Sequence, residues 1–216
     1  MSQLLSTAAD AEKQPKRRAM VDAAESLFLQ HGYEATSMDA VARMAGVSKA
    51  TLYAHFTSKD LLFATIVGER GVMLKLDEGD FPEQVDDLTG ALNRIGLRWM
   101  DFMMRPRTLA IYRIAVAESA RFPELGRAFY DNGPVRTRAR LADWLAGLRA
   151  KHLIEADDLD IAAMQFQALL RGSMFMSAAL ALDPMPDEAE IARSVRAAVS
   201  TWVRAFGRRD VPPAAA

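Results

Sequence analysis

The sequence has no cysteine, only three histidines, and no apolar run of the roughly 18 to 20 residues that a membrane-spanning helix needs. Without cysteine, the chain has no disulfide, no thiolate metal site and no thiol nucleophile. The histidines, His31, His55 and His152, lie far apart along the chain, which argues against a histidine-rich metal site. We therefore predict no metal, no cofactor and no membrane association.

An excess of charge of one sign is also lacking, since 27 Lys and Arg stand against 28 Asp and Glu, for a net charge of -1. Such a balance disfavours a protein that coats nucleic acid over its whole surface. The polar, charged N-terminus lacks the apolar segment of a secretory signal, so a cytoplasmic location is expected. No Ser-His-Asp set, paired-carboxylate motif or phosphate-binding loop indicates catalysis, and we predict that the chain is not an enzyme.

Strand signals are nearly absent, whereas apolar residues recur at i, i+3 and i+4 along most of the chain. The sequence therefore predicts an all-α protein of 216 residues, long enough for one large or two small domains. Glycine and proline signals separate the segments. The predicted helices span about 15–31, 37–45, 49–56, 59–70, 85–104, 108–120, 123–130, 134–151, 159–182 and 187–206.

The stretch MAGVSKATLYAHF, residues 44–56, interrupts what would otherwise be one amphipathic helix. Gly46 suits the positive φ of a tight turn, Val47 is expected to point inward, and Ser48 is a good N-cap for a new helix. Leu52 and Phe56, four residues apart, predict the buried side of that helix. The pattern indicates a helix-turn-helix, in which the second helix is presented to a DNA major groove.

Two further patterns predict helix starts. In Thr36-Ser37-Met38-Asp39, a hydroxyl followed three residues later by a carboxylate has the form of a capping box. The pattern returns at Thr57-Ser58-Lys59-Asp60, before the fourth helix.

The composition changes after Gly71, where glycine, proline and several acidic residues precede the next helical pattern. We place a domain boundary there. The predicted organisation is an N-terminal three-helix helix-turn-helix domain over 13–70, a larger helical ligand-binding and dimerisation domain over 71–208, and disordered tails over 1–12 and 209–216.

The N-terminal segment resembles the DNA-binding domain of the TetR family of transcriptional regulators over residues 16–70. The resemblance is carried by Leu27-Phe28, Gly32-Tyr33-Glu34-Ala35-Thr36-Ser37-Met38, Val41-Ala42, Ala45-Gly46-Val47-Ser48-Lys49-Ala50-Thr51-Leu52-Tyr53, Phe56 and Ser58-Lys59-Asp60. The segment RWMDFMMRPRTLAIYRIAVAESARFPELGRAFY more loosely resembles the ligand-binding domain of AefR-like members.

The resemblance implies a homodimer that binds a palindromic operator in double-stranded DNA, most often as a repressor that a small molecule releases. By position, Thr36 and Ser37 contact phosphate, and Lys59 holds the DNA backbone. The residues that line the recognition helix are Ser48, Lys49, Ala50, Thr51, Tyr53 and His55.

Residue chemistry divides these candidates into two groups. The arm Lys16-Arg17-Arg18, together with Thr36, Tyr53 and Lys59, suits phosphates. Lys49, Thr51 and His55 suit base edges. The alternatives are a solvated helix face for the basic residues, half-buried packing for Tyr53, and an ordinary surface position for His55.

Aromatic and methionine side chains in the second domain predict a pocket for an apolar or amphipathic effector. A plain hydrophobic core is the alternative for each of them. The candidates are Trp99, Phe102, Met103, Tyr112, Phe129, Tyr130, Trp144, Met164, Phe166 and Phe175. Arg105, Arg107 and Arg171 are candidates for pairing with an acidic group of the effector, or for salt bridges.

The last two helices carry apolar residues on more than one face, which predicts that they pair with the same helices of a second copy. Two other functions stay open at this point. One is an activator of the same fold, and the other is a helical small-molecule carrier or enzyme with a vestigial helix-turn-helix.

Overall fold

A computed structural model describes the backbone of residues 2–72, 81–182 and 184–208, and the side chains of residues 14–68, 81–182 and 184–208. Within these ranges the chain is helical apart from turns and one isolated bridge between Ile154 and Gly207. The all-α prediction is confirmed. None of the described helices combines the length and apolar character that crossing a bilayer requires. The predicted tail over 209–216 lies outside the described residues.

The chain divides into two compact units, the first made of Met1–Arg70 and Ala110–Gly133 and the second of Gly71–Leu109 and Pro134–Ala216. The helices, in chain order, are α1 (Ser2–Ala35), α2 (Met38–Met44), α3 (Lys49–His55), α4 (Lys59–Val72), α5 (Leu88–Met104), α6 (Pro106–Glu118), α7 (Pro123–Tyr130), α8 (Arg136–Ala150), α9 (Leu159–Ala179) and α10 (Glu188–Phe206). The division between the units falls inside α6. Residues 110–133, which the sequence assigns to the second domain, thus pack within the first unit.

Helix α1 differs from its predicted span at both ends. It begins at Ser2, so residues 2–12 are helical where the sequence predicts a disordered tail. Their alanine- and leucine-rich composition favours a helix. At the other end, Gly32 interrupts the helix as expected, with φ 80° and ψ 169°, a conformation available essentially to glycine. One more helical stretch then runs to Ala35.

A π-helical segment, Asp131–Val135, joins α7 to α8. The sequence predicts a break at Gly133-Pro134. Proline has no backbone N–H to donate to the usual α-helical acceptor, and a single wider turn accommodates it without ending the helical path.

The predicted turn between α2 and α3 is confirmed. Gly46 has φ +66°, and its N–H donates to the Arg43 carbonyl at 3.3 Å. The N–H of Val47 donates to the Ala42 carbonyl at 3.0 Å, which closes the end of α2. The Ser48 hydroxyl then accepts the N–H of Thr51 at 3.1 Å and caps α3. Two short helices are thereby set at an angle by hydrogen bonds that the local sequence supplies.

The core of the first unit lies between α1, α2, α3 and α4. Leu52 and Phe56 are buried in it, as predicted from their spacing. Three residues from α6 and α7, Ile111, Ala115 and Leu125, join the same core. Because apolar burial is the main stabilising contribution in a domain of this size, the turn between α6 and α7 is part of the unit that holds the helix-turn-helix.

The second unit is built around α5, α8, α9 and α10. Trp202 of α10 is buried, its indole Nε1 donates to the Ala162 carbonyl at 2.9 Å, and its ring lies 5.8 Å from that of Phe166. Val195 and Val199 of α10 are buried as well. These three residues therefore pack within their own chain, and the pairing of the last two helices with a second copy stays a prediction. The large apolar side chains left exposed on α9 are Ile161, Met164, Leu169 and Met176.

Candidate nucleic-acid interface

Helix α3 presents one buried side and one exposed side. Leu52 has no exposed surface, whereas Lys49, Ala50 and Tyr53 are exposed and Thr51 is half-buried. Tyr53 is 41% exposed, which favours a surface position over the packing alternative. His55 is half-buried, with its ring centroid 6.4 Å from that of Phe56. A seven-residue helix with this division has an exposed face that can enter a groove.

The ammonium of Lys49 is held on this face by Asp39 of α2. Lys49 Nζ lies 2.8 Å from Asp39 Oδ1 and 3.1 Å from Oδ2, and 6.0 Å from the centroid of the Tyr53 ring. The hydrogen bond and the negative charge of Asp39 raise the pKa of Lys49, so the side chain stays charged. Lys49 therefore keeps its positive charge at the exposed start of α3.

The two hydroxyls at the start of α2 have different roles. Ser37 is the N-cap, is exposed, and accepts the N–H of Ala40 at 3.1 Å. This cap uses an acceptor of the hydroxyl and leaves its hydrogen available for a phosphate oxygen. Thr36 is buried, and its Oγ1 donates to the Gly32 carbonyl at 2.8 Å. That hydroxyl thus closes the end of α1, and the contact of Thr36 with phosphate stays a prediction.

The predicted capping boxes are also corrected. Because Ser37, not Thr36, caps α2, Asp39 lies in the first turn and pairs with Lys49 instead of reaching back to a cap N–H. In α4 the cap is Ser58, whose Oγ accepts the N–H of Leu61 at 3.1 Å. The general prediction of a helix start holds in both places, but the register is one residue later.

The Lys59 ammonium forms hydrogen bonds within the first unit. Its Nζ donates to the carbonyls of Tyr33 at 2.7 Å, Thr36 at 3.0 Å and Glu34 at 3.3 Å. A lysine ammonium has three N–H donors, so these carbonyls use all of them. Burial lowers the pKa of Lys59, despite the opposing charges of Asp60, Glu118 and Glu34. This side chain therefore ties the end of α1 to the start of α4, and its contact with the DNA backbone stays a prediction.

Aromatic rings and charged pairs surround this connection. The Tyr33 ring lies 4.2 Å from Lys59 Nζ and 5.3 Å from the Phe122 ring in the turn before α7. Arg121 of the same turn forms an ion pair with Glu34. The end of α1 is thus held from α4 on one side and from the turn between α6 and α7 on the other.

The buried hydroxyl of Tyr33 makes the free energy of unfolding depend on pH in the alkaline range. This hydroxyl donates to Asp60 Oδ1 at 2.5 Å, and burial, then the hydrogen bond to Asp60, raises the pKa of Tyr33 above the ordinary value of 10.0. When the pH rises above 10.0, the unfolded chain loses the phenol proton of Tyr33, whereas the folded chain keeps it. The free energy of unfolding therefore falls as pH rises.

In a Tyr33→Phe variant this proton is absent from both states. We expect the difference in unfolding free energy between the wild type and the variant to narrow between about pH 9 and about pH 11. Urea unfolding of both proteins at the two pH values measures this difference. A difference that stays constant across this range would contradict the assignment.

The basic arm lies on α1. Lys16 and Arg18 are exposed, and Arg18 Nε lies 3.9 Å from Asp22 Oδ2, one turn further along the helix. The guanidinium of Arg17 lies 5.5 Å from the centroid of the Phe56 ring, the residue that ends α3. Arg17 thus links α1 to the end of the recognition helix, whereas the contacts of the arm with phosphate stay a prediction.

Comparisons with known proteins agree with this geometry. The family model described as "Bacterial regulatory proteins, tetR family" matches residues 20–66, and that described as "AefR-like transcriptional repressor, C-terminal domain" matches residues 90–208. The chain is 32% identical over 183 residues to HTH-type transcriptional regulator BetI of Rhizobium meliloti (strain 1021), covering 82% of this chain and 84% of that one. The chain belongs to the TetR family of transcriptional regulators.

Solved structures resemble this TetR-family regulator along most of its length. The Flavonoid-responsive Regulator FrrA is 38% identical, with a TM-score of 0.75, over 90% of this chain and 98% of that one. A TetR-family regulator from Mesorhizobium loti MAFF303099 is 29% identical, with a TM-score of 0.80, over 91% of this chain and 98% of that one. This protein is accordingly a DNA-binding transcriptional regulator with a helix-turn-helix domain followed by a helical domain.

The candidate effector contacts of this TetR-family chain fall in both compact units. Tyr112, Phe129 and Tyr130 lie in the first, where the rings of Tyr112 and Phe129 are 6.0 Å apart and Tyr130 is exposed. The candidates in the second unit are Trp99, Phe102, Met103, Trp144, Met164, Phe166 and Phe175. Their role in binding an effector stays a prediction.

Several of the candidates in the second unit have structural partners. Phe166 packs on Trp202 in the core, which favours the core alternative for it. Trp144 lies against Phe81 with 5.6 Å between ring centroids, and its Nε1 donates to the Pro82 carbonyl at 3.1 Å. Met164 is exposed on α9. Trp99 and Phe175, by contrast, are grouped around one charged side chain.

That charged side chain is Arg171 of α9. Its guanidinium lies 5.5 Å from the centroid of the Trp99 ring and 5.8 Å from that of Phe175. Both rings are buried. A guanidinium this close to two aromatic rings makes cation–π contacts, and it can also pair with an acidic group.

Sequence reasoning missed four residues of the interface: Asp39, Asp60, Glu34 and Arg121. Each is an ordinary charged residue whose partner is distant in sequence or in another helix. One signal was available but unused: the helix-turn-helix spacing brings the start of α2 near the start of α3, and therefore Asp39 near Lys49.

Proposed function

We propose that this protein is a repressor that binds a palindromic operator as a homodimer, in the cytoplasm, and leaves the DNA when a small effector binds. The observation that carries the DNA half of the proposal is the exposed outer face of α3, with Lys49 charged at its start. Two such helices separated by about 34 Å reach successive major grooves on one side of the duplex. The proposal involves no catalytic step.

Local charge and dimerisation supply the affinity in this proposal. Acidic and basic residues balance over residues 1–70, so bulk attraction to DNA is weak. The exposed basic residues of this segment include Lys16 and Arg18 on α1, Arg43 on α2 and Lys49 on α3, and they supply a local positive charge. Joining two weak half-sites in one dimer multiplies their effect.

The dimer contact is proposed on the last two helices, mainly through α9. Its exposed apolar side chains include Met176 at 60%, and Leu180 just beyond its end is exposed at 63%. An exposed apolar helix face of this kind is typical of a surface that a second copy covers. From α10 we propose that Ile191 and Phe206, which are half-buried, add to the contact, because Val195, Val199 and Trp202 are buried within the chain.

Met176→Asp is expected to shift the protein from dimer to monomer and to abolish high-affinity operator binding. A charge placed in an apolar contact loses its hydration without a partner. Sedimentation velocity measures the first effect and fluorescence anisotropy the second. The matched control is Val116→Asp, which changes an equally exposed apolar residue of α6. If both variants stay dimeric, the α9 contact is wrong.

The effector is proposed to be a flat aromatic molecule with a phenolic or carboxylic group, bound beside Trp99, Arg171 and Phe175. The Arg171 guanidinium, 5.5 and 5.8 Å from the two ring centroids, supports this class because it offers a cation beside flat apolar surfaces. The similar Flavonoid-responsive Regulator FrrA makes flavonoids the first compounds to test.

A mobility-shift assay with the DNA upstream of the gene for this protein tests the whole proposal. The wild type is expected to bind this DNA in preference to an unrelated fragment and to release it as a flavonoid is added. Binding with no preference at physiological salt would favour a carrier or an enzyme. Tighter binding in the presence of effector would contradict release and favour an activator.

A further inference from the structure

Asp39 is the single acidic residue between positions 38 and 55, the span of α2, the turn and α3. It lies in the first turn of α2, and both of its carboxylate oxygens are within 3.1 Å of Lys49 Nζ. The two side chains are more than half exposed, Lys49 at 62% and Asp39 at 55%. A carboxylate thus occupies the surface that the proposed function turns toward DNA.

A carboxylate at this place opposes the binding of any duplex. An ionised carboxylate is only an acceptor and carries the same charge as a phosphate, so it offers the DNA backbone no hydrogen bond and repels it. It also competes with phosphates for the ammonium of Lys49. DNA of any sequence must overcome both effects before Lys49 contributes to binding.

Only some sequences compensate for the loss of this ion pair. Guanine presents two acceptors, O6 and N7, in the major groove, and an ammonium that leaves Asp39 for these atoms exchanges one strong partner for another. At other sequences Lys49 stays on Asp39 or meets a single phosphate. The ion pair therefore lowers the affinity for wrong sequences more than the affinity for the right one.

We propose that Asp39 is a specificity-determining residue, whose carboxylate withholds Lys49 from the phosphates of non-operator DNA and yields it to base acceptors at the operator. The role is separate from folding. Exposed ion pairs contribute little to stability, and the turn is already fixed by the hydrogen bonds of Gly46 and Val47 to the end of α2 and by the Ser48 cap of α3.

The experiment compares Asp39→Asn with the wild type as full-length proteins, by fluorescence anisotropy over a range of KCl concentrations. Two labelled duplexes of equal length serve as probes: one carries the site that the wild type selects from a random-sequence library, and the other carries a scrambled sequence. The control is Asp101→Asn, which makes the same charge change in an exposed ion pair, with Arg105, in the second unit.

For Asp39→Asn, affinity for the scrambled duplex is expected to rise about tenfold, and its salt dependence to steepen by about 0.9 for each Lys49 that gains a phosphate. Affinity for the selected duplex is expected to rise less, so the ratio of the two affinities falls. In a Lys49→Met background the same substitution is expected to have a smaller effect. Asp101→Asn is expected to change neither the ratio nor the salt dependence.

The inference rests on the proposed recognition face of α3. The variants distinguish a failure of the role of Asp39 from a failure of the recognition face. If Lys49→Met weakens binding to the selected duplex but Asp39→Asn leaves the affinity ratio unchanged or raises it, the role of Asp39 is overturned and the recognition face stands. If Lys49→Met leaves both affinities unchanged, the recognition face is wrong and the role of Asp39 falls with it. Equal effects of Asp39→Asn and Asp101→Asn would reduce the result to net charge and overturn the inference.

Discussion

Replacing Lys59 by methionine is expected to lower the free energy of unfolding by about 2 kcal/mol, which for a chain of this size is a fall in Tm of about 4–8 °C. The variant leaves the carbonyls of Tyr33, Glu34 and Thr36 without the ammonium that they share. These carbonyls belong to the end of α1 and the start of α2. Operator binding is expected to weaken together with stability, because the entry to the helix-turn-helix loses its anchor.

Lys49→Met is the matched control, because it removes the same ammonium from an exposed lysine in the same unit. Its Nζ contacts one carboxylate and no backbone carbonyl in the hydrogen bonds described above. Its Tm is expected to stay at the wild-type value. Thermal unfolding followed by circular dichroism compares the two variants. If Lys59→Met unfolds at the wild-type temperature, Lys59 does not hold the end of α1.

The same Lys49→Met variant is expected to have a large effect on operator recognition. A lysine that donates to a base contributes to discrimination at that position, and each dimer loses this hydrogen bond in two half-sites. Affinity for the selected duplex is therefore expected to fall at least about 30-fold, with a smaller change for scrambled DNA. Fluorescence anisotropy with both duplexes measures this.

Arg18→Ala gives the opposite pattern, that of a residue that binds phosphate. Arg18 is exposed on α1, where its guanidinium pairs with Asp22. We expect this variant to bind all sequences more weakly, with a salt dependence reduced by about 0.9 for each phosphate that the arginine no longer neutralises. If Lys49→Met behaves like Arg18→Ala, with a uniform decrease in affinity for both duplexes, then Lys49 binds phosphate and not a base.

The fold was predictable from the sequence because its signals are local. Apolar periodicity, a serine cap and a glycine that favours positive φ determine α2, the turn and α3 almost to the residue. The long helices of the second unit follow from the same periodicity. By contrast, the extension of α1 to Ser2 passes through Pro15, a residue that marks a helix start in most sequences.

The site was predictable only in part. The exposed side of a helix follows from its local sequence, whereas the hydrogen-bond partners of a side chain can lie far away in the sequence. The pattern of Leu52 and Phe56 fixes which side of α3 is exposed, so Lys49 and Tyr53 were found. The role of Lys59 depends on carbonyls more than twenty residues away, and no spacing rule connects them. The hydrogen bond of Thr36 could not be predicted for a similar reason, since its hydroxyl closes a helix that ends beyond a glycine kink.

The division of α3 between a buried and an exposed side bears on how such regulators diverge. Anchoring rests on Leu52, on the Ser48 cap and on Phe56, whereas positions 49, 50, 53 and 54 are exposed and add little to the packing of the unit. These four positions can be rewritten as a set, by selection or by design, at small cost to folding. A duplicated gene could therefore acquire a new target sequence in a few steps while its effector response is inherited intact.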